Sequence, residues 1–243
     1  MKHKYLVLLI LIIGYTSCKK SDSLYPKNVS INIINAVINS SAFKFNFSER
    51  EVNYLNVSEQ VPFGTNRFYY SVSGIVKMEV ISVSDQNKII LSKALTLDKD
   101  SYSLFLTGTS PNIDTVLISD KLPFIRTDVS KPLSSDSVVN IRFVNLSPNS
   151  PALKVKIRNN SENEVENLKY KDVGDWKSYP NKANAATNYV FEIRDASTDT
   201  ILSTYTFGAT STNRFKNVSL ILKGLFGTTT GTNAFGVQLV NYF

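Results

Sequence analysis

One short stretch of the sequence, DVGDWKSYP, brings together side chains that could bind a sugar. An aromatic ring can stack on the face of a sugar, and neighbouring carboxylates can accept hydrogen bonds from the sugar hydroxyl groups. The stretch therefore predicts a glycan-binding site formed by Asp172, Asp175, Trp176 and Tyr179. The alternative is that Trp176 packs at a core, because an internal repeat places another apolar residue, Phe63, at the matching position.

A strand with one basic face is the second candidate. In the stretch LKVKIR, basic and apolar residues alternate, so we expect Lys154, Lys156 and Arg158 on one outer face of a strand. Such a face could attract an anionic ligand, for example phosphorylated lipopolysaccharide or an acidic glycan. The alternative is a solvated face whose charges discourage pairing with a further strand. Because the net charge of +7 is modest, we expect no nucleic-acid partner.

The only cysteine, Cys18, indicates where the protein resides. It lies behind an apolar run at residues 6–13, which is too short to cross a bilayer as a helix. A basic start, a short apolar run and small residues before a cleavage point are typical of an export signal. The small residues Thr16 and Ser17 precede the cysteine, and Tyr15 departs from the leucine-like residue that is usual at its position.

This order resembles the bacterial lipobox, in which signal peptidase II cuts before the cysteine and its sulfur carries a diacylglycerol. Several acyl chains anchor a protein stably, whereas one chain binds only marginally. We therefore expect Cys18 to hold the mature protein in the cell envelope, at the outer membrane. Lys19 and Lys20 follow the cysteine where surface lipoproteins often carry an acidic run, which leaves the periplasmic or surface face open.

Composition excludes several classes of enzyme. Removal of residues 1–17 takes away His3, the only histidine, and acylation uses the only thiol. Such a chain cannot form a Ser-His-Asp or Cys-His catalytic set, nor the usual Cys and His zinc sites. Neither common glycine-rich phosphate loop is present. We therefore expect no catalytic residue, no metal site and no cofactor.

Four tripeptides resemble the O-glycosylation sequon of Bacteroidota, in which an aspartate precedes the acceptor and an apolar residue follows it. Their acceptors are Ser23, Thr115, Ser137 and Thr200. Ser137 is the favoured acceptor, because a position between two domains is expected to be exposed.

The pattern of apolar residues predicts an all-β protein built from a tandem duplication. Apolar residues alternate with polar ones almost throughout, as in AFKFNF, and no long segment shows a helical stripe. Residues 31–47 match residues 141–157 without a gap, and LFLTG at 104–108 matches LILKG at 220–224.

Each copy is long enough to bury its own core, and its short strands predict an immunoglobulin-like Greek-key β-sandwich. The stretch between the copies carries prolines and serines and predicts a linker. The expected organisation is listed in chain order: signal peptide 1–17, lipidated cysteine and tether 18–27, first sandwich 28–122, linker 123–137 and second sandwich 138–243.

The stretch VNIRFVNLSPNSPALKVKI, which opens the second copy, resembles the start of domain of unknown function 4397 of bacterial exported proteins. Members typically begin with V-R-x-V-N/H-A-S-P-D-A-P-x-V-D-V, and the matching residues here are Arg142, Val144, Asn145, Ser147, Pro148, Pro151 and Val155. Asn149 and Lys154 depart from aspartates, and Ile38 and Ser41 replace both prolines in the first copy. The resemblance implies a β-sandwich in a Bacteroidota-type lipoprotein and carries no assigned activity.

These observations favour a non-enzymatic envelope lipoprotein that serves as a two-domain scaffold for adhesion or for binding a partner protein. The alternative is a glycan-binding accessory lipoprotein for capture of surface polysaccharide, with Trp176 and Tyr179 at its site. A third hypothesis, a glycosidase that relies on carboxylates alone, has little support without a measured carboxylate separation. The identity of the partner and the oligomeric state stay open.

Overall fold

The computed structural model describes residues 27–48, 50–123, 137–181 and 187–242. This part of the chain is all-β, as predicted, with two short 3₁₀ turns at Tyr54–Asn56 and Ser211–Asn213. The predicted signal peptide, Cys18, the tether up to residue 26 and the candidate acceptor Ser23 lie outside the described residues. Among the described residues, no helix is long and apolar enough to span a membrane.

The first repeat, residues 28–122, forms two packed sheets. Sheet 1 has the strand order β2-β4-β5, and sheet 2 has the order β3-β1-β6-β7. The strands are β1 (Asn28–Asn35), β2 (Phe43–Asn46), β3 (Asn66–Val72), β4 (Gly74–Ser82), β5 (Asp85–Leu97), β6 (Ser101–Thr109) and β7 (Asn112–Ser119).

The second repeat, from residue 138 onward, has the same arrangement with one strand more. Sheet 3 has the order β11-β8-β14-β15, and sheet 4 has the order β10-β9-β12-β13, so β10 is the added edge strand. The strands are β8 (Val138–Asn145), β9 (Leu153–Ile157), β10 (Asn163–Leu168), β11 (Lys177–Pro180), β12 (Thr187–Asp195), β13 (Ile201–Ala209), β14 (Asn217–Lys223) and β15 (Gly236–Asn241).

Alternation along the strands accounts for the core of each repeat. Ile31 and Phe43 of the first repeat, and Ile141 and Phe191 of the second, project between the two sheets of their repeat and are almost fully buried. The outer face of β2 is not open to solvent, although polar and apolar residues alternate along the strand, since Lys44 is also buried. Its ammonium donates to the carbonyl of Tyr54 at 2.7 Å and to Gln86 at 2.8 Å, because the segment around the first 3₁₀ turn lies over sheet 1.

The strand order differs from that of immunoglobulin domains, in which one sheet holds strands A, B, E and D. Here β1 lies between β3 and β6, and it is antiparallel to β3 and parallel to β6. The second strand belongs to the other sheet. The equivalent strand β8 makes the same antiparallel and parallel pairs, with β11 and β14.

Sheets 2 and 3 pack face to face, which creates a third hydrophobic core between the two repeats. The sheets therefore lie in the order 1-2-3-4, and the central strands of the two inner sheets, β1, β6, β8 and β14, are largely buried on both faces. The third core contains Ile34, Ala36, Phe105, Val144, Leu146, Ile221, Val240 and Tyr242.

A buried ion pair lies in this third core. The guanidinium of Arg142 donates to Asp120 at 2.9 Å and to Ser103 at 3.0 Å, and it also donates to Ser219 and Tyr242, both at 2.8 Å. The side chains of Arg142 and Asp120 are 3% and 1% exposed. Burial raises the pKa of Asp120, while Arg142 and Ser103 act in the opposite direction. Because these bonds join sheet 2 to sheet 3, they fix how the two repeats pack.

Candidate functional site: an aromatic groove in the first repeat

A groove opens between sheets 1 and 2 at the end of the first repeat where β2 and β3 end and β4 begins. Its volume is about 840 Å³. Phe45, Phe47 and Tyr69 are among the residues that line its interior. Its rim includes Tyr70 and Ile75. The groove is therefore mainly aromatic and aliphatic.

The three interior rings form one cluster. The Tyr69 ring centre lies 5.4 Å from that of Phe45 and 5.8 Å from that of Phe47, in tilted arrangements. The rings of Phe45 and Phe47 are almost parallel, with centres 6.3 Å apart. Aromatic pairs at such distances and angles stabilise one another. The interior of the groove is thus held in place by its own contacts.

The rim exposes an unusual amount of apolar surface. The exposed fractions of Tyr70 and Ile75 are 72% and 77%, and that of Val72 is 46%. Strand pairing places Tyr70 and Val72 on the face of sheet 2 opposite to Tyr69, and it places Ile75 on the outer face of sheet 1, so these side chains flank the opening. The size of the opening and the exposed apolar side chains around it make the groove the strongest candidate site among the described residues.

The hydroxyl of Tyr69 is buried at the groove and has no hydrogen-bond partner among the described residues. Burial raises the pKa of Tyr69 to about 12, against the pull of Arg67. The phenol is therefore protonated at neutral pH and can donate a hydrogen bond. A buried donor without a partner is costly, so this hydroxyl destabilises the first repeat.

The groove opens because β2 separates early from β4. Their ladder ends at the pair Asn46–Glu79. The side-chain oxygen of Asn46 accepts from the backbone N–H of Ser48 at 2.9 Å, and its amide donates to the carbonyl of Arg50 at 3.0 Å. An asparagine that bonds to backbone two residues later forms a local turn in place of a longer strand. The chain therefore turns away from β4 after residue 46.

The matching ladder of the second repeat continues further. It includes the pair Ile157–Phe191, and the backbone N–H of Arg158 then donates to the carbonyl of Val190 at 2.9 Å. The strand that corresponds to β2 thus reaches Val190 of β12, which corresponds to Lys77 on the uncovered part of β4.

Two tyrosines fill the corresponding space in the second repeat. Strand pairing places Tyr179 opposite Val139, where the first repeat pairs Ser71 with Val29, so Tyr179 corresponds to Ser71. In the same way Ile193 corresponds to Val80, because they pair with equivalent residues of β9 and β2. Tyr189 and Val76 each lie four residues earlier and therefore correspond to one another. The rings of Tyr179 and Tyr189 have centres 5.3 Å apart. Ser71 and Val76 both line the groove, so smaller side chains leave it open.

Both tyrosine hydroxyl groups have partners, in contrast to that of Tyr69. Tyr179 donates to Glu164 of β10 at 2.8 Å, and Tyr189 donates to the carbonyl of Pro180 at 2.6 Å. Burial and, after it, the bond to Glu164 raise the pKa of Tyr179. The second repeat is therefore closed where the first is open.

The predicted sugar site does not assemble as one stacking surface. Tyr179 packs in the core of the second repeat and is 5% exposed, whereas Trp176 packs against the third core on the other face of sheet 3. Asp172 and Asp175 are exposed, and Asp172 accepts from the backbone N–H of Lys169. Because the two rings lie on opposite faces of one sheet, they cannot stack on the same sugar.

Trp176 contributes instead to the contact between the repeats. The Arg142 guanidinium lies 4.4 Å from the centre of its ring, and the ring of Tyr242 meets it edge-on at 5.6 Å. A guanidinium over a tryptophan ring is attracted by the ring's electrons. Trp176 thus packs at a core, which was the alternative to sugar binding for this residue.

The basic residues of β9 take part in ion pairs on the outer face of sheet 4. Lys154 lies 3.1 Å from Asp199, and Arg158 lies 3.0 Å from Glu192. Lys156 is half-buried on the same face, and its charge helps to lower the pKa of Asp199. Because acidic partners offset much of its charge, this face attracts anions less than the sequence alone predicts.

The candidate glycosylation sites differ in exposure. Ser137 is 2% exposed, so the expectation of an exposed acceptor is wrong there, because the residue lies at the start of a strand buried on both faces. Thr115 is half-buried and accepts a hydrogen bond from Lys93 at 2.6 Å, whereas Thr200 is exposed in the turn between β12 and β13.

Comparison with known proteins adds no assignment to this geometry. No protein-family profile matches the chain, and no curated protein matches it. In the described part of the chain, no group of three or more His, Cys, Asp or Glu side chains is placed to hold a metal ion.

Neither the groove nor the buried ion pair was predicted from the sequence. The alternation in AFKFNF indicates only an ordinary strand face for Phe45 and Phe47, and Arg142 belongs to the motif that opens the second copy. The alignment of the repeats already pairs Val76 with Tyr189, and this difference in side-chain volume was the available signal for the groove.

Proposed function

We propose that this protein is a lipid-anchored envelope lipoprotein without enzymatic activity, which binds a partner protein through the groove of its first repeat. The second repeat serves as a closed scaffold that supports the first through the third core. Binding at the groove would serve adhesion or assembly within the envelope.

One observation carries this proposal: the groove is open in one repeat and filled in the other. The two repeats have the same order of the seven strands they share, yet Ser71 and Val76 stand where the second repeat has Tyr179 and Tyr189. Filling such a space with the chain's own side chains stabilises a fold. The open groove forgoes that stabilisation, which is understandable if another molecule fills it.

The anchor is part of the proposal and rests on the sequence. Signal peptidase II would remove residues 1–17, and acyl chains on Cys18 would hold the protein at the outer membrane. Residues 18–27 would form the tether, and residues 123–137 would link two Greek-key sandwiches, 28–122 and 138–243. We propose these sandwiches as relatives of immunoglobulin-like folds in layer architecture, with a strand order of their own. The absence of enzymatic activity rests on the lack of histidine in the mature chain.

Photo-crosslinking tests the groove directly. A benzophenone side chain would replace Tyr70 at the rim or, as a control, Ile201 on the second repeat, which is 46% exposed. After irradiation of intact cells, we expect a discrete crosslinked protein from position 70 and none from position 201. Equal crosslinking from both positions, or none from position 70, would contradict the proposal.

Metabolic labelling with palmitate tests the anchor. We expect label on the wild-type protein and none on a Cys18→Ala variant, which would also leave the membrane fraction. Label that persists in the variant would exclude acylation at this cysteine.

Glycan binding is the second candidate function, and the exposed ring of Tyr70 favours it. Its side chain is 72% exposed, and the polar residues Ser48 and Arg50 line the same groove. A glycan that stacks on this ring would lose affinity in a Tyr70→Ala variant, whereas a Trp176→Ala variant that still folds would keep it. A glycan array without signal would remove this candidate.

A further inference from the structure

The exposed half of β4 offers backbone groups for pairing. Phe43 directs both of its backbone hydrogen bonds to Val61, on the side of β2 away from β4. The backbone groups of the even-numbered residues of β2 therefore point towards β4, where they bond to the odd-numbered residues Ile81 and Glu79. The ladder stops at Glu79, so the N–H and C=O groups of Ile75 and Lys77 point into the groove. No strand of the described chain lies beside them.

The space beside these groups corresponds to one that aromatic side chains fill in the second repeat. In the second repeat the rings of Tyr179 and Tyr189 fill the corresponding volume, against Phe191 at 5.7 Å and 6.2 Å. The first repeat has Ser71 and Val76 at those positions. The molecule thus contains its own example of what fits this space.

We infer that the partner is recognised through an extended peptide segment, which pairs with β4 at Ile75 and Lys77 and inserts an aromatic side chain between Phe47, Tyr69 and Val76. This inference rests on the proposed function and specifies the chemistry of its ligand. Addition of a strand to a sheet edge gives affinity through main-chain hydrogen bonds, and pockets for alternate side chains give specificity.

Arg50 adds a preference for charge. Its side chain belongs to the residues that line the groove, so a segment that carries a carboxylate is favoured.

A displayed library of random heptapeptides is the probe, presented to the detergent-solubilised full-length protein. We expect enriched peptides to carry one aromatic residue with apolar residues two positions away, because alternate side chains of a strand share a face. The variant Ser71→Tyr with Val76→Tyr carries the residues of the second repeat and should bind these peptides at least about tenfold more weakly. Ser92→Tyr on the exposed face of β5 is the matched control and should bind them normally.

A second variant tests the backbone pairing by itself. Ile75→Pro removes one N–H at the edge of β4 and leaves the groove empty. With thermal unfolding unchanged, peptide binding should fall at least about tenfold, whereas a ligand held only by side chains in the groove would bind as before. Normal peptide binding by a folded Ile75→Pro protein would overturn the inference.

The two proposals fail in different ways. If no enriched peptide loses binding in the filled variant while the benzophenone at position 70 still captures a partner, the peptide inference falls and the groove function stands. If neither experiment finds binding at the groove, both fall.

Discussion

The two repeats share their strand order and differ at one end, where the first is open and the second closed. The central strands β1, β6, β8 and β14 of the inner sheets are alike because they are largely buried on both faces, and packing against two neighbours leaves little room for change. The outer sheets differ, since only sheet 4 has the edge strand β10, and the edge strands β3 and β11 differ at Ser71 and Tyr179. Divergence is thus concentrated on edge strands and outer sheets, where the constraint from packing is weakest, and there the first repeat has an open groove.

The largest expected effect comes from opening the second repeat. The variant Tyr179→Ser with Tyr189→Val installs the residues of the first repeat and should lower the free energy of unfolding by about 4 to 6 kcal/mol, because a packed aromatic pair is lost and a cavity remains. The reverse variant, Ser71→Tyr with Val76→Tyr, should change it by less than about 1 kcal/mol, because the groove has room for both rings. Urea unfolding measures the free energy of unfolding of both variants. Equal losses would contradict the assignment of an open end to the first repeat and a closed end to the second.

The next effect concerns the contact that joins the repeats. The variant Arg142→Met should lower the free energy of unfolding by about 3 to 5 kcal/mol, because Asp120 would be buried without its partner. Adding Asp120→Leu should recover most of this loss, since both charges are then gone. Arg67→Met, at an exposed position, should stay within about 0.5 kcal/mol of wild type. A loss in Arg142→Met no larger than in Arg67→Met would show that the ion pair does not hold the repeats together.

A single hydroxyl group distinguishes the two ends on a smaller scale. Tyr179→Phe should lower the free energy of unfolding by about 1.5 to 3 kcal/mol, because it removes a hydrogen bond to the carboxylate of Glu164. Tyr69→Phe should raise it by up to about 1 kcal/mol, because it removes a buried hydroxyl without a partner. Thermal and urea unfolding of the two proteins provide the comparison. The same sign for both variants would contradict the assignment of open and closed ends.

The strands could be predicted from the sequence because alternation of apolar residues is a local property. Phe43 and Phe45 follow it, and both project into the core of the first repeat. What covers the second face of a strand depends on distant parts of the chain. Arg142 alternates with apolar neighbours as a surface residue would, yet sheet 2 covers it. The same long-range packing buries Ser137, for which local sequence predicts exposure.

The candidate sites illustrate the same limit. Trp176 and Tyr179 are three residues apart, and neighbours in sequence were expected to form one surface. Residues three apart on an extended chain point to opposite faces, so Tyr179 lies in the core of the second repeat and Trp176 in the core between the repeats. The groove depends on a difference between the copies at Val76 and Tyr189. That this difference opens a space can be inferred only when the register of both sheets is known.

The smallest expected effect concerns equivalent carboxylates on the two outer sheets. Glu192 corresponds to Glu79. Glu192 precedes Ile193, which pairs with Val155 of β9, and Glu79 precedes Val80, which pairs with the equivalent residue of β2, Phe45. Hydrogen bonds from Arg194 and then Arg158 are the main causes that lower the pKa of Glu192. For Glu79, the main cause that lowers the pKa is the hydrogen bond from Lys77. The carboxylate with two cationic partners is thus on the closed repeat, and the one with a single cationic partner is on the open repeat.

A lowered pKa in the folded state means that the charged carboxylate stabilises the fold above its unfolded pKa, and that this contribution disappears as the pH falls through the folded pKa. Glu192→Gln should therefore lower the free energy of unfolding at pH 7 by less than about 1 kcal/mol, because its partners Arg158 and Arg194 stay partly exposed at the surface, and Glu79→Gln should lower it less. As the pH falls through the folded-state pKa of each glutamate, both differences should shrink towards zero, because the glutamates of the wild type then become protonated. Urea unfolding at pH 7 and at lower pH values measures the change. A larger loss for Glu79→Gln at pH 7, or a loss that grows on acidification, would contradict this difference in pairing between the closed and the open repeat.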